Sequence, residues 1–527
     1  MVDAISLEVY KHRFAAIADE MGVTLQRSAL SPNIRERLDF SCAIFDADGR
    51  MVSQAAHIPV HLGSMPESVA AALSECAPFA RGDVIILNDP YRGGTHLPDI
   101  TMITPIFAAD DHRSPAFFAA SRAHHADIGG MSPGSLPLST ELYQEGVIIP
   151  PVRLIAAGQV NQPLLSLITA NSRAPSERIG DFQAQIAAQR AGEDRLKALI
   201  TENGLLDVQT HANALMDYSQ QMTEAALRAI PDGEYTYEDF LEGDGQSEAL
   251  IPLRVRLIVR DGELEADFTE SAPQVRGNLN AVPAIARSAL LYCVRLLVTE
   301  DIPVNAGCFV PLRVTLRKGS ILSPRFPSAV AVGNTETSQR LVDVILGALG
   351  QALPNLPAAS SGSMNNFTFG GFNEDGSAFV YYETIGGGHG ASAMGNGLDG
   401  RHSHMTNTRN TPVEALEASL PIRVLSYALR DRSGGAGKFR GGMGIQRVYQ
   451  FLASGQMTIN SERRRIGPYG VHGGQAGEPG RNRLWRSDAV RDLGAKHTER
   501  VEIGDVISIE TPGGGGFGAE EATSNGC

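Results

Sequence analysis

The chain has 527 residues, 43% of them hydrophobic and 20% charged, with a formal net charge of -14; this length exceeds one hydrophobic core and predicts two to four domains. The acidic balance excludes nucleic acid as a partner, which needs clustered Lys and Arg. Apolar runs are broken well short of a bilayer span, no apolar leader is present, and five cysteines include no CxxC pair, so the expectation is a cytoplasmic protein with no membrane contact, no zinc ribbon, no Fe–S cluster and no disulfide framework.

In chain order, Ile5 to Leu30 reads as an amphipathic helix ended by Ser31-Pro32. A first hairpin follows. Asp39 precedes Phe40 to Phe45, the turn is Asp46-Ala47-Asp48-Gly49-Arg50, and Met51 to Ser53 leads to His57 and His61. After a helix near Pro66 to Leu73 comes a second hairpin. His96-Leu97-Pro98-Asp99 runs into the apolar stretch Ile100 to Phe107, and Ala116 to Ser121 runs into His124-His125-Ala126-Asp127, with a polar turn between. Antiparallel pairing places the start of one strand beside the end of the other, so the two His/Asp clusters converge. Six of the thirteen histidines fall between His57 and His125. Imidazole with carboxylate suits a divalent metal, and a mixed N/O set points to Zn or Mn, then Fe or Co, rather than to Ca or Mg.

Ser176 to Ile230 has a helical pattern with a break at Gly204 and a stop at Pro231-Asp232-Gly233. Ile251 to Phe268 alternates about Asp261-Gly262, and Phe309 to Leu322 repeats this about Lys318-Gly319, both hairpin signals. Helices are predicted at Val282–Val298 and Thr337–Leu353, and short strands with glycine turns from Arg432 onward. The fold class is therefore α+β and multidomain: a hairpin-rich metal-site domain over 1–175, a helical hairpin over 176–235, an α+β domain with polar glycine-rich loops over 236–430, and a β-rich region over 431–527.

Three motifs are set aside. Gly130-Met131-Ser132-Pro133-Gly134 spells GxSxG, but the nucleophile elbow needs the backbone N–H after Ser, which Pro133 lacks. Gly437-Lys438 resembles a P-loop end, yet Phe439 replaces the metal-binding Ser/Thr and Arg432 the first glycine. Arg463-Arg464-Arg465 reads as a solvated or carboxylate-paired loop. Gly386-Gly387-Gly388-His389-Gly390 is a candidate binding or contact loop. Gly513 to Gly516 reads as a plain turn.

A series of segments resembles the B-type chain of the hydantoinase/oxoprolinase family over nearly the full length: Glu36-Arg37-Leu38-Asp39-Phe40-Ser41, His57-Ile58-Pro59-Val60-His61-Leu62-Gly63-Ser64-Met65, Asn88-Asp89-Pro90-Tyr91, Gly94-Thr95-His96-Leu97-Pro98-Asp99, His124-His125-Ala126-Asp127-Ile128-Gly129-Gly130, Gly333-Asn334-Thr335-Glu336-Thr337-Ser338 and Asn407-Thr408-Arg409-Asn410-Thr411-Pro412-Val413-Glu414-Ala415-Leu416-Glu417. The resemblance implies an enzyme subunit that forms a hetero-oligomer with an A-type, actin-like ATPase and opens a small cyclic amide, such as a hydantoin, 5-oxoproline or a larger lactam. ATP is then used by the partner, which agrees with the missing P-loop. The family's metal ligands map onto Asp39, His96, Asp99 and His124, with His125 as an alternative to His124. Asp127 or His57 is the expected general base, and His61, His125 and Asn334 are expected to contact substrate.

The chemistry is coherent, because a lactam resists hydrolysis until its carbonyl oxygen is phosphorylated, after which water activated by a metal can attack. Two other readings stand beside it: a subunit of an ATP-dependent ketone carboxylase, and a noncatalytic scaffold holding a structural metal. Carboxylase relatives tend to have longer B-type chains, which favours hydrolysis.

Overall fold

A computed structural model describes residues 2–55, 58–108, 114–298 and 301–520. The first long helix runs Ala4–Ser28, with Asp3 capping its N-terminus through bonds from the N–H groups of Ile5 and Ser6. The strands of both predicted hairpins pair and enter one sheet, residues 109–113 of the second turn lying outside the described residues. Its strands are β1 (Phe40–Asp46), β2 (Met51–Gln54), β3 (Val84–Leu87), β4 (Asp99–Ile106), β5 (Phe117–His124), β6 (Val152–Ala156) and β7 (Gln159–Val160). They lie in the order β2-β1-β5-β4-β3-β6-β7 with antiparallel neighbours throughout.

Residues of β1, β4 and β5 are buried on both faces, which explains their continuous apolar runs. Phe40, Cys42, Ile44, Phe117 and Ala119 pack with Phe14, Ile17, Ala184 and Ala188 of the helices Ala4–Ser28 and Pro175–Asn203. Ala43, Phe45, Ile103, Phe118 and Ala120 pack with Met65, Val69 and Ala72 of Met65–Cys76. Gly204 separates Pro175–Asn203 from Leu205–Arg228, as the break in the pattern predicts.

A second sheet pairs Gly233–Glu242 with Leu250–Arg260, and that strand with Glu263–Asp267 across a turn at Asp261 (φ 50) and Gly262 (φ 83), the double left-handed geometry of a tight hairpin. The hairpin expected around Lys318-Gly319 is not formed. Leu312–Thr315 instead runs parallel to Glu263–Asp267, and the chain beyond Gly319 makes only isolated bridges, so the alternation there served edge pairing with an existing sheet. Helices Pro283–Arg295 and Ser338–Leu349 contribute to the largest core, which also covers this sheet. Ser338–Leu349 is preceded by a π-helical turn, Gly333–Thr337.

The C-terminal part is two sheets sharing the core of Phe367, Phe369, Tyr449, Phe451, Ile459 and Ile507. Beside it the glycine runs interlock. Gly514 N–H bonds the Gly442 carbonyl at 2.9 Å and Gly442 N–H the His389 carbonyl at 2.8 Å. A Cβ on Gly514 would lie 1.9 Å from the His389 carbonyl oxygen. The run Gly513 to Gly516 is thus closely packed backbone, not a plain turn. Arg463 is buried and carboxylate-paired, its Nη2 2.6 Å from both Asp239 and Asp343. Among the described residues, no helix is long and apolar enough to cross a membrane.

Candidate metal centre

The β4/β5 register sets Asp99 directly opposite His124. β1 flanks β5 on its other side, and the His124 N–H bonds the Asp39 carbonyl at 3.0 Å, which brings Asp39 alongside. His96 sits in the turn before β4, closed by the Asp99 N–H on the His96 carbonyl at 3.1 Å. One ligand atom from each of His96, Asp99 and His124 falls within 4.8 Å of the others, and this is the one such His/Cys/Asp/Glu group among the described residues. All three side chains are buried.

Their outer atoms are partnered and their inner atoms are not. His96 Nδ1 lies 2.8 Å from the Ala331 carbonyl. Asp99 Oδ2 accepts from Thr95 Oγ1 at 2.9 Å and Asn334 Nδ2 at 3.1 Å. In contrast, His96 Nε2, His124 Nε2 and Asp99 Oδ1 are buried without a hydrogen-bond partner, although His96 Nε2 lies 3.3 Å from Asp99 Oδ1. Three ligand atoms of two imidazoles and a carboxylate, buried, converging and without a hydrogen-bond partner, fit a divalent cation, because leaving them unmet is costly.

Burial opposes ionisation of Asp99, yet the neighbouring His96 and His61 hold its carboxyl well below the ordinary range. His124 is pushed well below the usual imidazole value by burial, then by His96, and so is neutral as a ligand must be. His96 is raised, because Asp99 outweighs its desolvation. Asp39 is raised by burial against the pull of Arg37, whose Nη2 is 4.0 Å away.

Asp39, His61, Asp99, His124 and Asn334 share one small cavity of about 20 Å³, lined also by Thr335, Met364, Tyr382, Thr384, Met405, Thr406 and Thr408. His61 Nε2 lies 3.4 Å from Asp99 Oδ2, and its Nδ1 2.9 Å from Ser41 Oγ. His125 is turned to the other side of the strand, with Nδ1 2.7 Å from Arg178 and Nε2 3.0 Å from Gln185 of helix Pro175–Asn203. Strand alternation thus puts His124, rather than His125, in the cluster. Asp127 is not brought to the cavity: its oxygens accept from the N–H groups of Gly129, Gly134 and Arg173 and from the Arg173 guanidinium at 2.9 Å. His57 lies outside the described residues. Sequence reasoning missed Tyr382, whose ring stacks on His124 at 4.4 Å and 14°, and Asn33, whose Nδ2 lies 3.1 Å from His124 Nδ1. A lone Tyr at a strand end carries no motif. Asn33, six residues before Asp39, offered only its place beside a site motif.

The hydantoinase B/oxoprolinase family profile matches residues 3–520, and the chain belongs to that family. It is 41% identical to 5-oxoprolinase 1 of Arabidopsis thaliana over 98% of its own length but 42% of that protein's. To a putative B-type D-/L-hydantoinase chain of a Pseudomonas species it is 32% identical, covering 98% of this chain and 90% of the relative. The crystal structure of the ATP-dependent caprolactamase from Pseudomonas jessenii superposes with a TM-score of 0.90 at 29% identity, covering 98% of this chain and 92% of that one. The chain thus spans nearly a whole bacterial hydantoinase chain and about two-fifths of the plant enzyme.

Proposed function

We propose that this chain is the metal-bearing, substrate-processing subunit of an ATP-dependent cyclic amide hydrolase, with Asp39, His96, Asp99 and His124 holding one divalent cation, Zn or Mn. The observation that carries the reading is the convergence of His96 Nε2, His124 Nε2 and Asp99 Oδ1, all buried and unpartnered, at a cavity in a chain of this family. A 5-oxoprolinase, a hydantoinase and a caprolactamase share a substrate bond, the amide of a ring, which supports that class here.

A cation held there supplies Lewis acidity and lowers the pKa of coordinated water. The protein's own groups do the rest. Thr95 and Asn334 fix one oxygen of Asp99 so that the other points inward. His61, at 3.4 Å from Asp99 Oδ2, is the imidazole placed to hold or move a proton at the cavity. The cavity has room for an ion or one water, less than a ring substrate needs. Activation of the carbonyl by ATP is assigned to an A-type ATPase partner, since no P-loop is found in this sequence.

The test is co-expression with an actin-like ATPase subunit, followed by metal analysis and ATP hydrolysis assayed with and without lactam. A stable hetero-oligomer with about one metal per chain and lactam-dependent ATPase is expected. A chain that takes up no Zn or Mn, or an assembly whose ATPase ignores hydantoins, 5-oxoproline and caprolactam alike, overturns the reading.

A further inference from the structure

His96 and His124 are prepared in opposite ways. His96 meets a carbonyl, that of Ala331, at its Nδ1. A carbonyl only accepts, so Nδ1 keeps its proton and the proton that leaves when the ring is neutral is the one on the inward Nε2, beside Asp99 Oδ1. His124 meets an amide instead, and the orientation of that amide is fixed from both ends. Arg37, fully buried, directs Nη1 at one branch of the Asn33 side chain. A guanidinium has donors only, so this branch is the carbonyl oxygen. The other branch, the NH₂, donates to the His124 backbone carbonyl at 2.6 Å, and the same nitrogen lies 3.1 Å from His124 Nδ1. Facing a donor, Nδ1 must be the lone-pair nitrogen of the neutral ring, and the proton falls on Nε2, which points unpartnered into the cluster.

We propose that Arg37 and Asn33 form a tautomer latch that keeps the His124 proton on Nε2, the nitrogen facing the metal ligands, whenever the site is empty of metal. The inference rests on the metal-site reading above. Coordination through Nε2 then requires the proton to transfer to Nδ1, where it meets the Asn33 NH₂ donor against donor, so the amide must turn away from the ring. Metal uptake is opposed by the latch, in contrast to the usual outer partner of a ligating histidine, an acceptor that strengthens binding. Asn33 is a positioning residue of negative sign: it holds the ring in place through the His124 carbonyl while disfavouring the ligand tautomer.

The test is made on metal-free full-length protein labelled with ¹⁵N-histidine, using multiple-bond ¹H–¹⁵N correlation to read the His124 tautomer, and on Zn²⁺ affinity measured by competition with a chromophoric chelator. Wild type should show the proton on Nε2. Asn33→Ala and the near-isosteric Asn33→Leu should lose that preference and bind Zn²⁺ about tenfold more tightly, whereas a merely structural Asn33 would weaken binding when removed. A proton on Nδ1 in wild type, or Zn²⁺ affinity equal or weaker in both variants, overturns the latch. If wild type takes up no Zn²⁺, the metal reading fails and the tautomer spectra alone decide: an Nε2–H signal lost in the variants supports the latch, and one retained refutes it. The wild-type spectrum decides without either variant should both fail to fold.

Discussion

Asp99 and His124 are direct cross-strand partners, the first residue of β4 opposite the last of β5. Directly opposed side chains lie on one face at short separation, so the spacing of the two ligands is built by backbone register. A slip of one residue would present His125, which belongs to the opposite face and to Arg178 and Gln185. Burial of both sheet faces makes such a slip costly, and the geometry is therefore fixed before any cation arrives.

Replacing His96 or Asp99 with Ala is expected to remove bound metal and to reduce lactam-dependent ATPase in the reconstituted complex by at least about 100-fold, the order seen for disrupted metal sites. The fold should survive, since the inner atoms make no hydrogen bond and the outer ones lost are confined to Ala331, Thr95 and Asn334. Metal analysis beside a circular dichroism melt checks this. Full occupancy in both variants would end the ligand assignment.

The hairpins and the convergence of their ends were legible because β-branched and aromatic runs bounded by turn residues leave few alternatives. Choosing His124 over His125 was not, since alternation gives two faces without saying which one a helix covers. The helix doing so, Pro175–Asn203, lies fifty residues downstream. Tyr382 and Asn334 reach the cavity from segments more than 200 residues beyond His124, a distance no local pattern spans. The alternation around Lys318-Gly319 misled because an edge strand beside an existing sheet carries the same pattern as a hairpin arm.

Ser132 separates a serine mechanism from a metal-dependent one. It is buried, its Oγ has no partner, and it does not line the cavity that Asp39, Asp99 and His124 share. Pro133 follows and offers no oxyanion N–H. Ser132→Ala should keep turnover within about tenfold, roughly 1.4 kcal/mol in barrier, while His124→Ala should cost far more. Mass spectrometry that finds an acyl adduct on Ser132 during turnover would revive the serine reading.

Arg463 anchors the second sheet to the C-terminal part through Asp239 and Asp343, all three buried. Arg463→Leu leaves two carboxylates with Arg340 as their remaining close cation, 3.2 Å from Asp239 and 3.7 Å from Asp343. Breaking a buried pair in this way costs about 3–5 kcal/mol. Urea unfolding of wild type and variant measures it, and a loss under about 1 kcal/mol, the scale of an exposed pair, would contradict this account.

Glu145 ties pH to the stability of the His96 support. Its Oε1 accepts from Ser139 Oγ and from the N–H groups of Val330 and Ala331, and the Ala331 carbonyl in turn holds His96. Burial pushes its pKa up to about 7 from an ordinary 4.5, against the pull of those hydrogen bonds. Between these values the native state binds a proton that the unfolded chain has released, so stability falls as pH rises from about 4.5 to about 7 and stays reduced above. Glu145→Gln keeps the acceptor for Val330 and Ala331 and removes the charge. Relative to wild type, the variant should melt higher at pH 8 and close to equal at pH 4.5. Melting curves for both proteins across this range give the answer, and parallel pH profiles would show that the Glu145 carboxyl titrates in the folded protein as it does in the unfolded chain.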